Sequence, residues 1–318
     1  MAVYGQKLLE KVNKSILRLK TFEPPEGYYL AFSGGKDSCV LKWLADTAGV
    51  KYHAVYRITS VDPPELVTFI KEKHPDVKLD PPYDKDGERI TMWNLIPKKL
   101  MPPTRLVRYW CASLKESGGD GEMTLTGVRW AESVNRKQNQ GIAIVQGKTV
   151  QGKKEAMKTL SRARDSFFLN KTGGLVLVND NDENRSLLEN CYKRHKTTVN
   201  PIVDWDDDDV WDYIRAEKIP YCGLYDCGWH RLGCIGCPMA SRSERLRQFA
   251  MWQKYKAAYL RAFQKMLDAI KERGLINGAW RMWTTPRQVF NWWTEDKNID
   301  GQQAMEGFED YDYEDEYD

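Results

Sequence analysis

Tyr28-Tyr29-Leu30-Ala31-Phe32-Ser33-Gly34-Gly35-Lys36-Asp37-Ser38-Cys39-Val40-Leu41 decides the fold. The first five residues are a compact apolar run and read as a buried strand. Residues Cys39 to Thr47 read as a helix ended by Gly49. Between them lies Ser33–Ser38, and a glycine turn between strand and helix predicts a phosphate site. Two glycines let the backbone approach an oxyanion closely. Successive N–H groups form a nest, and the helix N-terminus adds partial positive charge. Lys36 supplies a mobile cation, and Ser33 and Ser38 supply hydroxyls. The loop is not a Walker A motif, which needs a longer run before its Lys and Ser/Thr.

Outward from this loop the chain alternates strands and helices. Residues 5–20 read as an amphipathic helix, with Leu8, Leu9, Val12, Ile16, Leu17 and Leu19 on its apolar face. Residues 52–58 read as a second strand, and Pro63-Pro64 starts a helix to about Lys73. Met92–Lys99 reads as a helix, and Met123–Gly127 and Gly174–Val178 as strands. Residues 137–172 are polar and basic and read as an insertion or a mobile loop. Asp206–Glu217 reads as a helix capped by Asp204 or Asp206, with Asp206–Asp209 favoured by the helix dipole. One long helix is expected from Arg242 to Arg273, opened by a Ser241/Glu244 capping box. Its stripe runs through Leu246, Phe249, Trp252 or Tyr255, Tyr259, Phe263, Met266 and Ile270. Trp280, Trp283, Trp292 and Trp293 predict a packed aromatic region.

This alternation predicts an α/β fold, a doubly wound and mostly parallel twisted sheet with a helical, Trp-rich C-terminal extension. The expected divisions are an N-terminal helix (1–25), a nucleotide-binding domain (26–240) with a Cys-rich metal segment (222–237), a helical region (241–308) and an acidic disordered tail (309–318).

Composition narrows the function classes. The 318 residues carry a net charge of +3, with 42% hydrophobic and 29% charged residues, which excludes a disordered or fibrous chain. The last ten residues hold seven acids and no base, so the rest of the chain carries +10. That basic body suits anionic substrates and keeps a nucleic-acid partner as an alternative. Apolar runs fall far short of the ~20 residues of a membrane span. The charged N-terminus has no signal-like apolar core, so a cytoplasmic protein without membrane contact is expected. Seven Cys and no signal argue for metal or thiol chemistry rather than a disulfide scaffold.

Ser33–Ser38 resembles the pyrophosphate loop of the ATP pyrophosphatases that adenylate their substrates. Other stretches narrow the likeness: Thr59–Glu65, Arg108-Tyr109-Trp110-Cys111, Thr126-Gly127-Val128-Arg129, Asn200-Pro201-Ile202, Val210-Trp211, Ile219-Pro220-Tyr221 and Gly233-Cys234-Ile235-Gly236-Cys237-Pro238. Together they resemble the phosphoadenosine phosphosulfate (PAPS) reductase family in its broad sense, over about residues 25–240. Its relatives include a DNA-phosphorothioation, DndC-like branch. The resemblance implies that Ser33, Gly34, Gly35, Lys36, Asp37, Ser38, Gly127, Arg108 and Arg129 bind an adenine nucleotide. Lys36, Asp37 and Arg129 would do the catalytic work. The loop is the unaltered pyrophosphatase form, which implies ATP with Mg2+. Arg105, Arg108 and Arg129 are candidate anion clamps. Asp62 would lie at the tip of the second strand, or cap the helix that follows.

Cys222, Cys227, Cys234 and Cys237 read C-x4-C-x6-C-x2-C, a set suited to a soft metal. In the family a Cys-Cys pair joins the Gly-Cys-x-x-Cys in ligating a four-iron four-sulfur cluster. Here Trp110 replaces the first of that pair. The implied ligands are therefore Cys111, Cys234, Cys237 and Cys222, with Cys227 as the alternative to Cys222. Zinc is the alternative metal, with His230 as a spare ligand. Cys39 and Cys191 read as buried thiols. The family's reductases use a nucleophilic Cys near the C-terminus, whereas the last Cys here is Cys237, which points away from reductase chemistry. A sulfur-donor protein is an expected partner.

Overall fold

The computed structural model describes residues 5–119, 121–145, 167–171, 174–178, 197–275 and 283–295. The expected roles of Cys191, Trp280 and the acidic tail 309–318 lie outside these. The chain divides into two compact units. The first comprises residues 1–89 and 112–233, and the second 90–111 and 234–318.

The first unit is built on an eight-stranded sheet ordered β3-β2-β1-β4-β8-β5-β7-β6. The strands are β1 (Tyr28–Ala31), β2 (Tyr52–Arg57), β3 (Lys78–Asp80), β4 (Thr124–Leu125), β5 (Ala143–Val145), β6 (Phe167–Leu169), β7 (Leu175–Leu177) and β8 (Thr197–Val199). From β3 to β8 every pairing is parallel. β5 is antiparallel to both β8 and β7, and β6 is antiparallel to β7. The sheet is therefore mostly parallel, as the alternation predicts. Residues 137–172 are not merely a loop, because β5 and β6 belong to that stretch. Two apolar triplets are too short to stand out as strands in a polar, basic segment.

Helices α1 (Gln6–Thr21), α2 (Lys36–Ala48), α3 (Pro64–Lys73) and α7 (Asp207–Glu217) belong to this unit. α2 begins inside the glycine turn, at Lys36, and ends at Gly49. α7 is capped by Asp206, whose carboxylate accepts from the Asp209 N–H at 2.9 Å. α1 buries Leu8, Val12, Ser15, Arg18 and Leu19, while Leu9 and Leu17 are exposed. Its inner face is thus rotated from the apolar stripe. The cause is polar. Ser15 Oγ and Arg18 Nη1 both donate to the Pro201 carbonyl, and Arg18 forks onto the Asp204 carboxylate at 2.7 and 2.9 Å.

The second unit holds α4 (Met92–Lys99), α8 (Arg242–Met251), α9 (Gln253–Glu272) and α10 (Pro286–Glu295). The expected single long helix is two, because Trp252 leaves the helical conformation at φ −107°, ψ 67°. Trp252 is buried. The break lets Phe249 and Tyr259 meet edge to face, with ring centroids 5.6 Å apart. Phe263, Phe290 and Trp293 complete this aromatic core. Two short helices remain, α5 (Tyr109–Leu114), within which the two units meet along the chain, and α6 (Val134–Asn139) in the first unit.

Candidate functional site

The sheet order places the site. β1 is followed in sequence by β2 on one side, while β4 lies on its other side. Loops that leave β1 and β4 therefore diverge at a topological switch point, where open α/β sheets bind ligands. The loop after β1 is Ser33–Ser38, and the segment after β4 is Thr126–Arg129.

The glycine turn is fixed by close packing. Gly34 has φ +74°, and a Cβ there would lie 2.7 Å from Ile70 Cδ1 and 2.8 Å from Leu66 Cδ1, both on α3. Only glycine satisfies both the dihedral and the space. Ser38 Oγ donates to the Gly35 carbonyl at 2.8 Å, and Ser33 Oγ lies 3.2 Å from Ser38 Oγ. The second segment comes just as close. A Cβ on Gly127 would lie 3.1 Å from the backbone carbonyl of Asp37.

Arg129 joins the two. Its Nε donates to Asp37 Oδ1 at 2.7 Å, its Nη2 to Asp207 Oδ1 at 2.5 Å and its Nη1 to the Trp205 carbonyl at 3.4 Å. The side chain is only 3% exposed. Burial opposes its charge, and the carboxylates of Asp37 and Asp207 more than offset that, raising its pKa. Lys36 Nζ lies 3.4 Å from Asp207 Oδ1 and 3.9 Å from Asp37 Oδ2, and its side chain is 7% exposed. Burial works against the Asp207 charge too, but Lys36 and Arg129 hold its carboxyl below the ordinary range. Two cations and two carboxylates thus form one network at the head of α2.

Tyr225 closes this network from the far end of the chain. Its Oη accepts from the Lys36 backbone N–H at 2.9 Å, and Lys36 Nζ lies 5.9 Å from its ring centroid. Burial pushes its phenol pKa up. Neither Asp207 nor Tyr225 is singled out by sequence reasoning. Asp207 carried one faint signal, since a cap needs one Asp and this helix opens with four. Asp62 does not cap α3. Its carboxylate accepts from the Thr59 N–H at 3.0 Å and braces the turn after β2.

The remaining predicted residues lie elsewhere. Arg105 and Arg108 belong to the second unit. Arg105 Nε donates to the Pro238 carbonyl at 2.8 Å, and Arg108 Nη2 lies 3.5 Å from Cys111 Sγ. Cys111, Cys234 and Cys237 are also in the second unit, whereas Cys222 and Cys227 are in the first. Gly236, between Cys234 and Cys237, donates its N–H to Gln248 Oε1 at 2.7 Å. Tyr259 Oη donates to the Ile235 carbonyl at 2.9 Å. This cysteine turn is therefore anchored to α8 and α9. Cys39 is buried behind the glycine turn, 3.9 Å from His74 Nε2. The thiolates are the right donors for a soft metal. Even so, among the described residues no group of three or more His, Cys, Asp or Glu side chains is placed to hold an ion.

The model of the phosphoadenosine phosphosulfate reductase domain matches residues 27–240. The chain belongs to that family. Its PAPS reductase domain therefore contains the whole loop, Arg129, Asp207 and Tyr225. An uncharacterized protein of Methanocaldococcus jannaschii is 24% identical over 292 residues, covering 88% of this chain and 58% of that protein. The chain thus spans little more than half the length of this relative. The adenosine 5'-phosphosulfate reductase of Neisseria meningitidis is 40% identical over 58 residues, covering 18% of this chain and 24% of that enzyme. Among solved structures, the U34-tRNA thiolase of Methanococcus maripaludis with its four-iron four-sulfur cluster aligns at 12% identity and a TM-score of 0.37, over 95% of this chain and 96% of that one. Among the described residues, no helix of this PAPS reductase family member is long and apolar enough to cross a membrane.

Proposed function

We propose that this chain binds ATP with Mg2+ at Ser33–Ser38, cleaves it between the α- and β-phosphates and adenylates an acceptor for sulfur transfer. The observation that carries this reading is the network of Lys36, Asp37, Arg129 and Asp207 at the carboxyl ends of β1 and β4. An acceptor oxygen bonds to the α-phosphorus as the α–β bridging bond breaks, and pyrophosphate leaves with the bonding electrons. The protein's work is positional and electrostatic. The Lys36 ammonium and the head of α2 neutralise the departing phosphates. The Ser33 hydroxyl turns from Ser38 to donate to a phosphate oxygen, and the Ser38 hydroxyl can do so only by leaving the Gly35 carbonyl. Arg129 gives three of its five N–H donors to Asp37, Asp207 and the Trp205 carbonyl, which holds the two carboxylates in place and leaves donors for a phosphate oxygen. Mg2+ bound with the nucleotide would supply further positive charge against the phosphates.

The test is pyrophosphate release from ATP in the presence of candidate acceptors. Lys36→Ala is expected to lower it at least ~100-fold, the usual effect of removing a charge that stabilises the transition state. Unchanged release in that variant sinks the reading.

Cys111, Cys234 and Cys237, all in the second unit, are the thiols this reading offers to a four-iron four-sulfur cluster, with zinc as the alternative. The fourth ligand expected from sequence, Cys222 or Cys227, lies in the first unit. A second reading, reduction of a sulfonucleotide by an external thiol, is favoured by the local likeness to adenosine 5'-phosphosulfate reductases. Sulfite release from that nucleotide, without pyrophosphate release from ATP, selects it.

A further inference from the structure

We infer that the Tyr225 phenol holds the anion position of the Ser33–Ser38 loop and that a phosphate oxygen of the bound nucleotide takes its place. This rests on the loop assignment proposed above and adds a residue that tunes its affinity.

The argument begins at Lys36, the first residue of α2. A backbone N–H in the first turn has no partner within its own helix and points toward the position an anion would take. Here that N–H is donated to Tyr225 Oη at 2.9 Å. The phenol oxygen also lies 3.4 Å from where a Cβ on Gly35 would stand, so it is seated against the loop backbone. The Lys36 ammonium lies 5.9 Å from the centroid of the same ring. One side chain thus meets both the N–H and the cation that a phosphate would use. It is a neutral acceptor, and a phosphate oxygen is a stronger one, because charge assistance roughly doubles such a bond.

Displacement would be transmitted. Tyr225 sits in a tight turn closed by Tyr225 N–H to the Cys222 carbonyl at 3.1 Å and Gly228 N–H to the Tyr225 carbonyl at 3.0 Å. Its ring stands edge to face against Trp211 of α7, with centroids 5.2 Å apart. When phosphate takes the N–H, the phenol must leave the loop and the ring must shift against that indole.

Inorganic pyrophosphate is the probe, titrated into the full chain by calorimetry. Tyr225→Phe keeps the ring and removes the competing oxygen. It is expected to bind pyrophosphate about fivefold more tightly, the equivalent of one ordinary hydrogen bond no longer broken on binding. In the wild type, pyrophosphate is expected to change the tryptophan fluorescence, and that change should vanish in Trp211→Phe. Equal or weaker binding by Tyr225→Phe overturns the inference, as does a fluorescence change that survives in Trp211→Phe. Wild-type binding that is lost in Lys36→Ala upholds the loop assignment whatever Tyr225 does. Absence of pyrophosphate binding in both wild type and Tyr225→Phe overturns the assignment and the inference together.

Discussion

Arg129 carries the loop's geometry through one side chain. Its guanidinium bonds to Asp37 in the glycine turn, to Asp207 at the head of α7 and to the Trp205 carbonyl. Removing it leaves Asp37 and Asp207 with only Lys36 between them and takes a donor from the Trp205 carbonyl. A fully buried pair that loses one partner costs about 3–5 kcal/mol. Asp207 is 66% exposed, so solvent recovers part of that. Arg129→Ala is therefore expected to lower stability by about 2–3 kcal/mol in urea unfolding. Arg129→Lys should recover less than half of this, because a single ammonium cannot bridge both acids and the carbonyl. Full recovery by lysine would mean that charge alone matters. The site was legible in sequence only where its chemistry is local. Ser33 to Ser38 announce themselves, since two glycines, a lysine and two hydroxyls stand in one turn. The position of Arg129 was legible, but its bonds to Asp37 and Asp207 were not, because those partners are far away in the chain. Tyr225 has no local signature at all, since only the folded chain brings its phenol to the Lys36 N–H.

At the scale of elements, polar bonds displaced what periodicity expected. The inner face of α1 includes Ser15 and Arg18 because the loop at Pro201–Asp204 offers them acceptors. A count of apolar residues cannot see an arginine that is buried through pairing. The same limit hid the break at Trp252, whose helical neighbours mask a local departure, and the triplet strands β5 and β6. What was legible, a mostly parallel sheet, came from the alternation of strand and helix runs around β1. The α1 attachment is testable through pH. Burial opposes the Asp204 charge, but Arg18 more than offsets it and holds the carboxyl below the ordinary range. A depressed carboxyl pKa adds stability above the unfolded value of about 3.9 and loses it as pH falls through the folded value. Asp204→Ala is therefore expected to cost about 3 kcal/mol at pH 7. The gap to wild type should narrow below about pH 4. A gap of the same size at pH 7 and pH 3 would contradict the ion-pair account.

Across the whole molecule, the six described cysteines fall into groups that the linear spacing concealed. C-x4-C-x6-C-x2-C reads as one set in sequence, yet its first two members lie in the first unit and its last two in the second. Within the first unit, Cys39 is buried against the glycine turn, and burial, followed by the nearby Asp37 charge, raises its thiol pKa strongly. A thiol held protonated is a poor metal ligand and a poor nucleophile. Burial likewise raises the Cys222 thiol pKa. In the second unit, Arg108 Nη2 lies 3.5 Å from the Cys111 sulfur. Cys234 and Cys237 flank a turn that the Gln248 and Tyr259 side chains pin to the aromatic core. On the proposed cluster reading, a metal should depend on Cys111, Cys234 and Cys237 with Cys222 or Cys227, and not on Cys39. If the proposed cluster forms, protein purified without oxygen is expected to contain iron and acid-labile sulfide in comparable amounts. Cys111→Ser, Cys234→Ser and Cys237→Ser should each lose most of both, and Cys39→Ser should retain them. One zinc per chain with no sulfide would replace the cluster with a structural zinc site. Iron retained in all three second-unit variants would remove these thiols from the ligand set.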